Sequence, residues 1–274
     1  MKKLLFSTLL LAVLCMVNAQ AQKILLWSLD VNYDKTAFKE HGPTPDWTPI
    51  NFNDNKILWV HSTDKISVFT VDEKGNKITS KHHGPFKDWH AINYANNRVL
   101  WAHTDGRINL WSINDKGEKV REKIHGPFKG WDVINFSYDK ILWSHTDGRI
   151  SIWTMDEEGN KIGEKVHTPL KGWRPINCTG TTILLEHDDN RISLWQINYE
   201  GNRISFKEHE PPAAGWRVVN YANNTILWSH DDGRISLWKI DSDGNKTNTK
   251  NYGPFGDWRV VNYSDDKLLW NKEK

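Results

Sequence analysis

The sequence predicts an all-β protein, a six-bladed β-propeller with four antiparallel strands in each blade. Three observations carry this reading: tryptophans at a fixed period, short β-prone segments bounded by turn residues, and a chain that starts and stops halfway through a repeat. Trp59, Trp101, Trp143, Leu185, Trp228 and Trp270 are spaced 42, 42, 42, 43 and 42 residues apart. Trp27, Phe69, Trp111, Trp153, Trp195 and Trp238 form a second series, and Trp47, Trp89, Trp131, Trp173, Trp216 and Trp258 a third. All 16 tryptophans belong to these series, which only Phe69 and Leu185 interrupt. A repeat of about 42 residues has the length of one propeller blade.

The unit that begins at Trp131 shows the strands. Trp131-Asp-Val-Ile-Asn-Phe, Lys140-Ile-Leu-Trp-Ser-His, Arg149-Ile-Ser-Ile-Trp-Thr-Met and Lys161 to His167 are short, β-branched or aromatic, and separated by turn residues. Thr146-Asp147-Gly148 joins the second to the third, and the Asp-Gly pair predicts a two-residue hairpin with both turn positions at positive φ. Glu158-Gly159-Asn160 turns the third into the fourth. Ile141 and Trp143 on one pleat face and Leu142 on the other suit a small sheet packed between two others. Lys23 to Asp30 matches a third strand, and Trp258 to Trp270 match a first and second. In a ring these halves complete one blade shared by the two chain ends, leaving no exposed seam. An open solenoid requires polar caps instead, and the sequence has none.

Residues 1–21 have the order of a secretory signal: Lys2 and Lys3, an apolar run from Leu4 to Val17, then Asn18-Ala-Gln-Ala21. Fourteen residues are too few to cross a hydrocarbon core of about 30 Å, so no membrane span is expected. Residues 22–274 are then a single propeller domain, secreted or periplasmic in a bacterial cell. Leu14 ahead of Cys15 is not the small residue a lipid-modified cysteine requires, and Cys178 alone cannot form an internal disulfide. Without Lys2 and Lys3, 34 basic residues balance 34 acidic ones, which argues against a nucleic-acid binder.

In an up-and-down blade the loop between strands two and three opens on the same rim as the link to the next blade. That rim gathers two marked segments. One is His103-Thr-Asp105-Gly-Arg107, repeated as His145-Thr-Asp147-Gly-Arg149 and His230-Asp-Asp232-Gly-Arg234. The other is His-Gly-Pro-Phe-x-x-Trp, ending at Trp89 and Trp131, with looser copies ending at Trp173, Trp216 and Trp258. An indole beside Asp, Arg and His offers a flat apolar face for a sugar ring and polar groups for its hydroxyls. Repetition of such sites would let weak binding add up on a multivalent surface. Strand tryptophans such as Trp143 and Trp153 are read as core. Glu186 stands where other units have Ser, Ala or Val and is read as a surface substitution. The five His that follow second strands lie on different blades and cannot share an ion, so neither metal nor cofactor is expected.

The Trp-rich, closely repeated units with internal closure resemble the tachylectin-like lectin propellers over residues 23 to 270. The resemblance is in organisation, and it implies one amino-sugar or related glycan site per blade, carried by loop residues. The stretch from Gly215 to Trp228 is similar to integrin-type propeller repeats, but Tyr221-Ala-Asn-Asn-Thr225 lacks the carboxylates of their calcium loop. No phosphate loop, nucleophile elbow or His-Glu-x-x-His is present. The expected function is a monomeric, non-catalytic binder of glycans or glycoconjugates. The alternative is a protein-interaction or envelope-scaffold propeller using the same rim, and the third reading a hydrolase with its site at the central channel.

Overall fold

The computed structural model describes residues 23–42 and 44–272. The expected leader and Cys15 lie outside them. The described residues form six four-stranded antiparallel sheets. Blade 1 comprises residues 47–83, blade 2 residues 89–125, blade 3 residues 131–167, blade 4 residues 173–209 and blade 5 residues 216–252. The sixth is built from Trp258–Ser264 and Lys267–Lys272 followed in space by Ile24–Leu29 and Lys35–His41, which is the closure expected from the sequence. Among the described residues no helix is long and apolar enough to cross a membrane.

First strands of successive blades touch all the way round, blade 6 to blade 1 included, so they line the axis. Every first strand carries a bulge, as at Val133/Asn135, that shifts its register against the second strand. A bulge re-aims the side chain that follows it, and here that side chain is always Asn: Asn51, Asn93, Asn135, Asn177, Asn220 and Asn262. Each amide nitrogen donates to a first-strand carbonyl of the next blade at 2.7–2.9 Å. Each amide oxygen accepts the backbone N–H of that same residue at 2.9–3.1 Å. Asn262 bonds Phe52, so the ring of six amides closes on itself.

Outside this ring the blades pack through the tryptophans. Trp143 joins Leu100 and Leu110 of blade 2, while Leu142 joins Ile183 and Leu185 of blade 4. Second- and third-strand aromatics pair at 4.7–5.1 Å, as Trp143 does with Trp153. Over each third-strand ring lies the basic residue eight positions on: Lys35, Lys77, Lys119, Lys161, Arg203 or Lys246, at 4.0–4.8 Å from the centroid. A further link joins the blades at their outer strands. His41, His83, His125, His167 and His209 each place Nε2 2.8–2.9 Å from the carbonyl of the turn glycine in the following blade. Between blades 5 and 6 the Tyr252 hydroxyl donates to the Tyr33 carbonyl instead.

Turn chemistry differs from the sequence reading. In Thr146-Asp147-Gly148 only Gly148 is at positive φ, so the loop is a three-residue one with a single left-handed position. Asp64 and Asn190 fill that position in blades 1 and 4, at φ 60° and 70°, as their short polar side chains allow. The paired positive-φ turns lie between first and second strands, at Asn96-Asn97, Asn223-Asn224 and Asp265-Asp266.

Two outcomes follow from these bonds. Asn135→Ala strands the N–H and C=O of buried Cys178, at about 1–3 kcal/mol for each stranded group, a loss that denaturant unfolding will read. Burial holds His41, His125, His167 and His209 below the ordinary 6.5, against the opposing pull of their glycine carbonyls. A depressed histidine contributes its full stabilisation above the unfolded value and loses it as pH falls through the folded one. The thermal midpoint therefore falls as pH drops from 7.5 to 5.

Candidate functional site

The two marked segments do share a rim. The links into blades 2, 3 and 4 hydrogen-bond both loops that flank them: before blade 3, Phe128 N–H donates to Gly106 O of blade 2 at 3.0 Å, and Thr146 N–H to Gly130 O at 3.0 Å within blade 3. The Gly-Pro-Phe part of the link is structural. Phe86, Phe128 and Phe255 insert edge-on against the two strand aromatics of the blade that follows each, at 4.8–5.4 Å. At Gly126 a Cβ would lie 2.9 Å from the Phe128 ring and 3.1 Å from Gly106 O, so nothing larger fits.

In blade 3 the loop-end Trp131 and the rim residues form one unit. Trp131 pairs across the strands with His145, and the two rings lie 4.7 Å apart. His145 Nδ1 is 2.8 Å from Asp147 Oδ1, which selects the tautomer protonated at Nδ1. The other Asp147 oxygen accepts Arg149 Nε at 2.8 Å, and Arg149 N–H donates to Asp147 Oδ1 at 3.0 Å. The guanidinium so held lies over Trp131, 5.4 Å from its centroid. The same unit recurs as Trp89–His103–Asp105–Arg107 in blade 2 and Trp216–His230–Asp232–Arg234 in blade 5.

Blade 4 holds a fourth complete unit that the sequence reading credited only with Trp173. His187 lies 4.9 Å from Trp173, Asp189 bonds both His187 and Arg191, and Arg191 lies over Trp173 at 5.8 Å. The loss of the turn glycine hid it, yet His-x-Asp-x-Arg is intact and Asn190 holds the left-handed position. Trp258 has no such unit: its cross-strand partner is Lys272 where other blades have His. Trp47 stacks on His61, which bonds Thr63 rather than a carboxylate.

Glu186 is corrected from a surface substitution to a buried carboxylate, 1% exposed. It faces the next blade, at the position where Val60 and Ala102 pack with a neighbouring loop-end Trp. Arg174, opposite on the first strand, pairs with one oxygen. Cys178 is fully buried and its thiol is pushed up to about 12 by desolvation, as suits a packing residue. Among the described residues no group of three or more His, Cys, Asp and Glu is placed to hold a metal.

No family model matches the chain, and no curated protein matches it. Solved structures do. Human WBSCR16 shares 10% identity with a TM-score of 0.51, covering 81% of this chain and 71% of that one. Prp20p from Saccharomyces cerevisiae, a protein with binding properties to Gsp1p and histones, also shares 10% identity with a TM-score of 0.51, covering 81% and 67%. At such identity the likeness is one of fold.

Burial pulls the rim carboxylates upward, but hydrogen bonds from the arginine backbone, the histidine and the guanidinium outweigh it and hold Asp105, Asp147 and Asp232 below 3.8. Asp189 is brought down to about 2. Its stabilising bonds are present above 3.8 and are lost only as pH falls through about 2. Carboxyl carbon shifts recorded against pH will show Asp189 titrating near 2, below the ordinary 3.8.

Proposed function

We propose that this protein is a non-catalytic recognition propeller that binds a protein partner through the rim carrying the four Trp–His–Asp–Arg units. The observation that supports this most directly is the preorganised arginine. In blades 2 to 5 a guanidinium is locked on both sides, by a carboxylate and by an indole, with the arginine side chain still 33–44% exposed. Arg and Trp dominate the energetics of protein interfaces, and a side chain already fixed in place loses little freedom on binding.

The same geometry weighs against a glycan as ligand. A sugar needs an open indole face and unengaged polar atoms, whereas these indoles carry their own histidine and arginine, and both oxygens of each aspartate are bonded. Prp20p supplies a precedent for a propeller that recognises proteins. The leader-like segment before residue 22 belongs to the proposal as an export signal, placing the partner in the periplasm or at the cell surface.

The test is a triple substitution, Arg107→Ala with Arg149→Ala and Arg234→Ala. A partner recovered by crosslinking from the native envelope should bind the variant at least about tenfold more weakly, while circular dichroism and thermal midpoint stay as before. Undiminished affinity in the variant sinks the rim reading. A glycan array that returns one saccharide, bound by the parent and lost by the variant, would replace the protein partner with a sugar.

A further inference from the structure

The rim arginines are not equally occupied, and the difference lies in one residue of each outer strand. In blade 4, Asp189 holds Nε of Arg191 at 3.0 Å, and Glu208 of the outer strand accepts from Nη1 of the same guanidinium at 2.9 Å. Blade 6 repeats the second bond, with Lys23 at the place of the arginine and Glu40 at the place of Glu208, 2.7 Å apart. A guanidinium whose Nε is committed to its own aspartate therefore still takes a second carboxylate on its outer edge, through a charge-assisted bond.

Blades 2 and 3 lack that carboxylate. Glu208 stands opposite Ser193 in the strand register, and the same places opposite Asn109 and Ser151 are filled by Ile124 and Val166. Both aliphatics are exposed, at 47% and 41%. Among the described residues Arg107 and Arg149 pair with no carboxylate but the aspartate of their own unit, and the bonds of the Arg107 side chain all run through Nε, leaving Nη1 and Nη2 open. Charge elsewhere leaves an acidic ligand little choice of face. The turns of the opposite rim hold 16 acidic residues, twelve between third and fourth strands and four between first and second, against only Lys74 and Lys116. That rim repels a carboxylate.

We propose that Arg107 and Arg149 receive Asp or Glu side chains from an acidic segment of the protein partner, whose neighbouring apolar side chains lie on Ile124 and Val166. The incoming carboxylate accepts from the Nη groups as Glu208 does in blade 4, so the molecule carries its own stand-in for the ligand. A lysine or arginine of a partner meets only donors there, and a neutral amide makes bonds about half as strong as a carboxylate does. The guanidinium is already fixed by its aspartate and indole, so the second carboxylate finds its donors in place. The inference rests on the protein-binding reading of the rim and adds to it the charge and flanking chemistry of the partner.

The probe is the peptide Ac-Val-Glu-Val-NH₂, titrated into uniformly ¹⁵N-labelled protein, with Ac-Val-Gln-Val-NH₂ as the neutral control. The Nε–H signals of Arg107 and Arg149 should move saturably with the glutamate peptide, while that of Arg191, whose outer edge Glu208 occupies, stays fixed. Ile124→Glu with Val166→Glu copies blade 4 into blades 2 and 3 and should weaken peptide binding at least about tenfold with both arginines in place. Glu208→Val should bring Arg191 into the response. Unmoved Arg107 and Arg149 signals, equal movement with the glutamine peptide, undiminished binding by Ile124→Glu/Val166→Glu, or a silent Arg191 in Glu208→Val each overturn the assignment. The same double variant separates this inference from the rim reading: a partner that is lost with the three arginine-to-alanine changes, yet binds Ile124→Glu/Val166→Glu as before, uses the rim without using these carboxylate places.

Discussion

The fold depends on one interaction, the amide of the first-strand asparagine bridging each blade to the next. It works because a carboxamide is both donor and acceptor, so it replaces the ladder partner that an innermost strand otherwise lacks. Aspartate has no donor, and glutamine would push the donor–acceptor pair a methylene too far. The bulge before each asparagine is part of the same device, since without the extra residue the side chain would point to the other pleat face. Six such bridges fix the separation and tilt of the first strands, and the remaining strands splay outward from them. The rim loops are therefore placed by contacts at the axis.

Around that ring the molecule adds layers with the same period but different chemistry. The basic residue over each third-strand ring covers an aromatic face that would otherwise meet water. The histidines clasp the following blade by its turn glycine, where a side chain would meet the Cβ of a lysine on the preceding outer strand. These layers tolerate little exchange, and the one departure, Tyr252 on Tyr33, falls where blade 5 meets the closing blade. There Tyr33 takes positive φ and its hydroxyl lies 2.8 Å from Thr225 Oγ1.

Strand number, blade number and the shared closing blade were legible in the sequence because tryptophan is rare and large, so its period survives reading by eye and its burial is a safe inference. The asparagine and histidine series have the same period and went unread for a physical reason. What they do depends on reaching the following blade, which local propensity does not encode. Asn in a β-prone run reads as a breaker, and its role appears only once the bulge sets its direction. Glu186 was misread for the same reason, since its burial comes from the adjacent blade and not from its own strand. The rim residues of blades 2, 3 and 5 were legible as a group because they are contiguous. Blade 4 was discounted for lacking a glycine whose place asparagine can take.

Closure also explains why the rim is not a full ring of units. In five blades a loop joins the second strand to the third, and in four of them that loop carries the histidine, aspartate and arginine. In the sixth, those two strands come from opposite ends of the chain, so no loop joins them and Trp258 has nothing to organise around it. The topology that seals the propeller without an exposed edge thus removes one unit, and the substitutions at Thr63 and Lys65 remove the arginine from its neighbour. What is left is a continuous arc of four units over blades 2 to 5. An arc has a direction that a six-fold ring lacks.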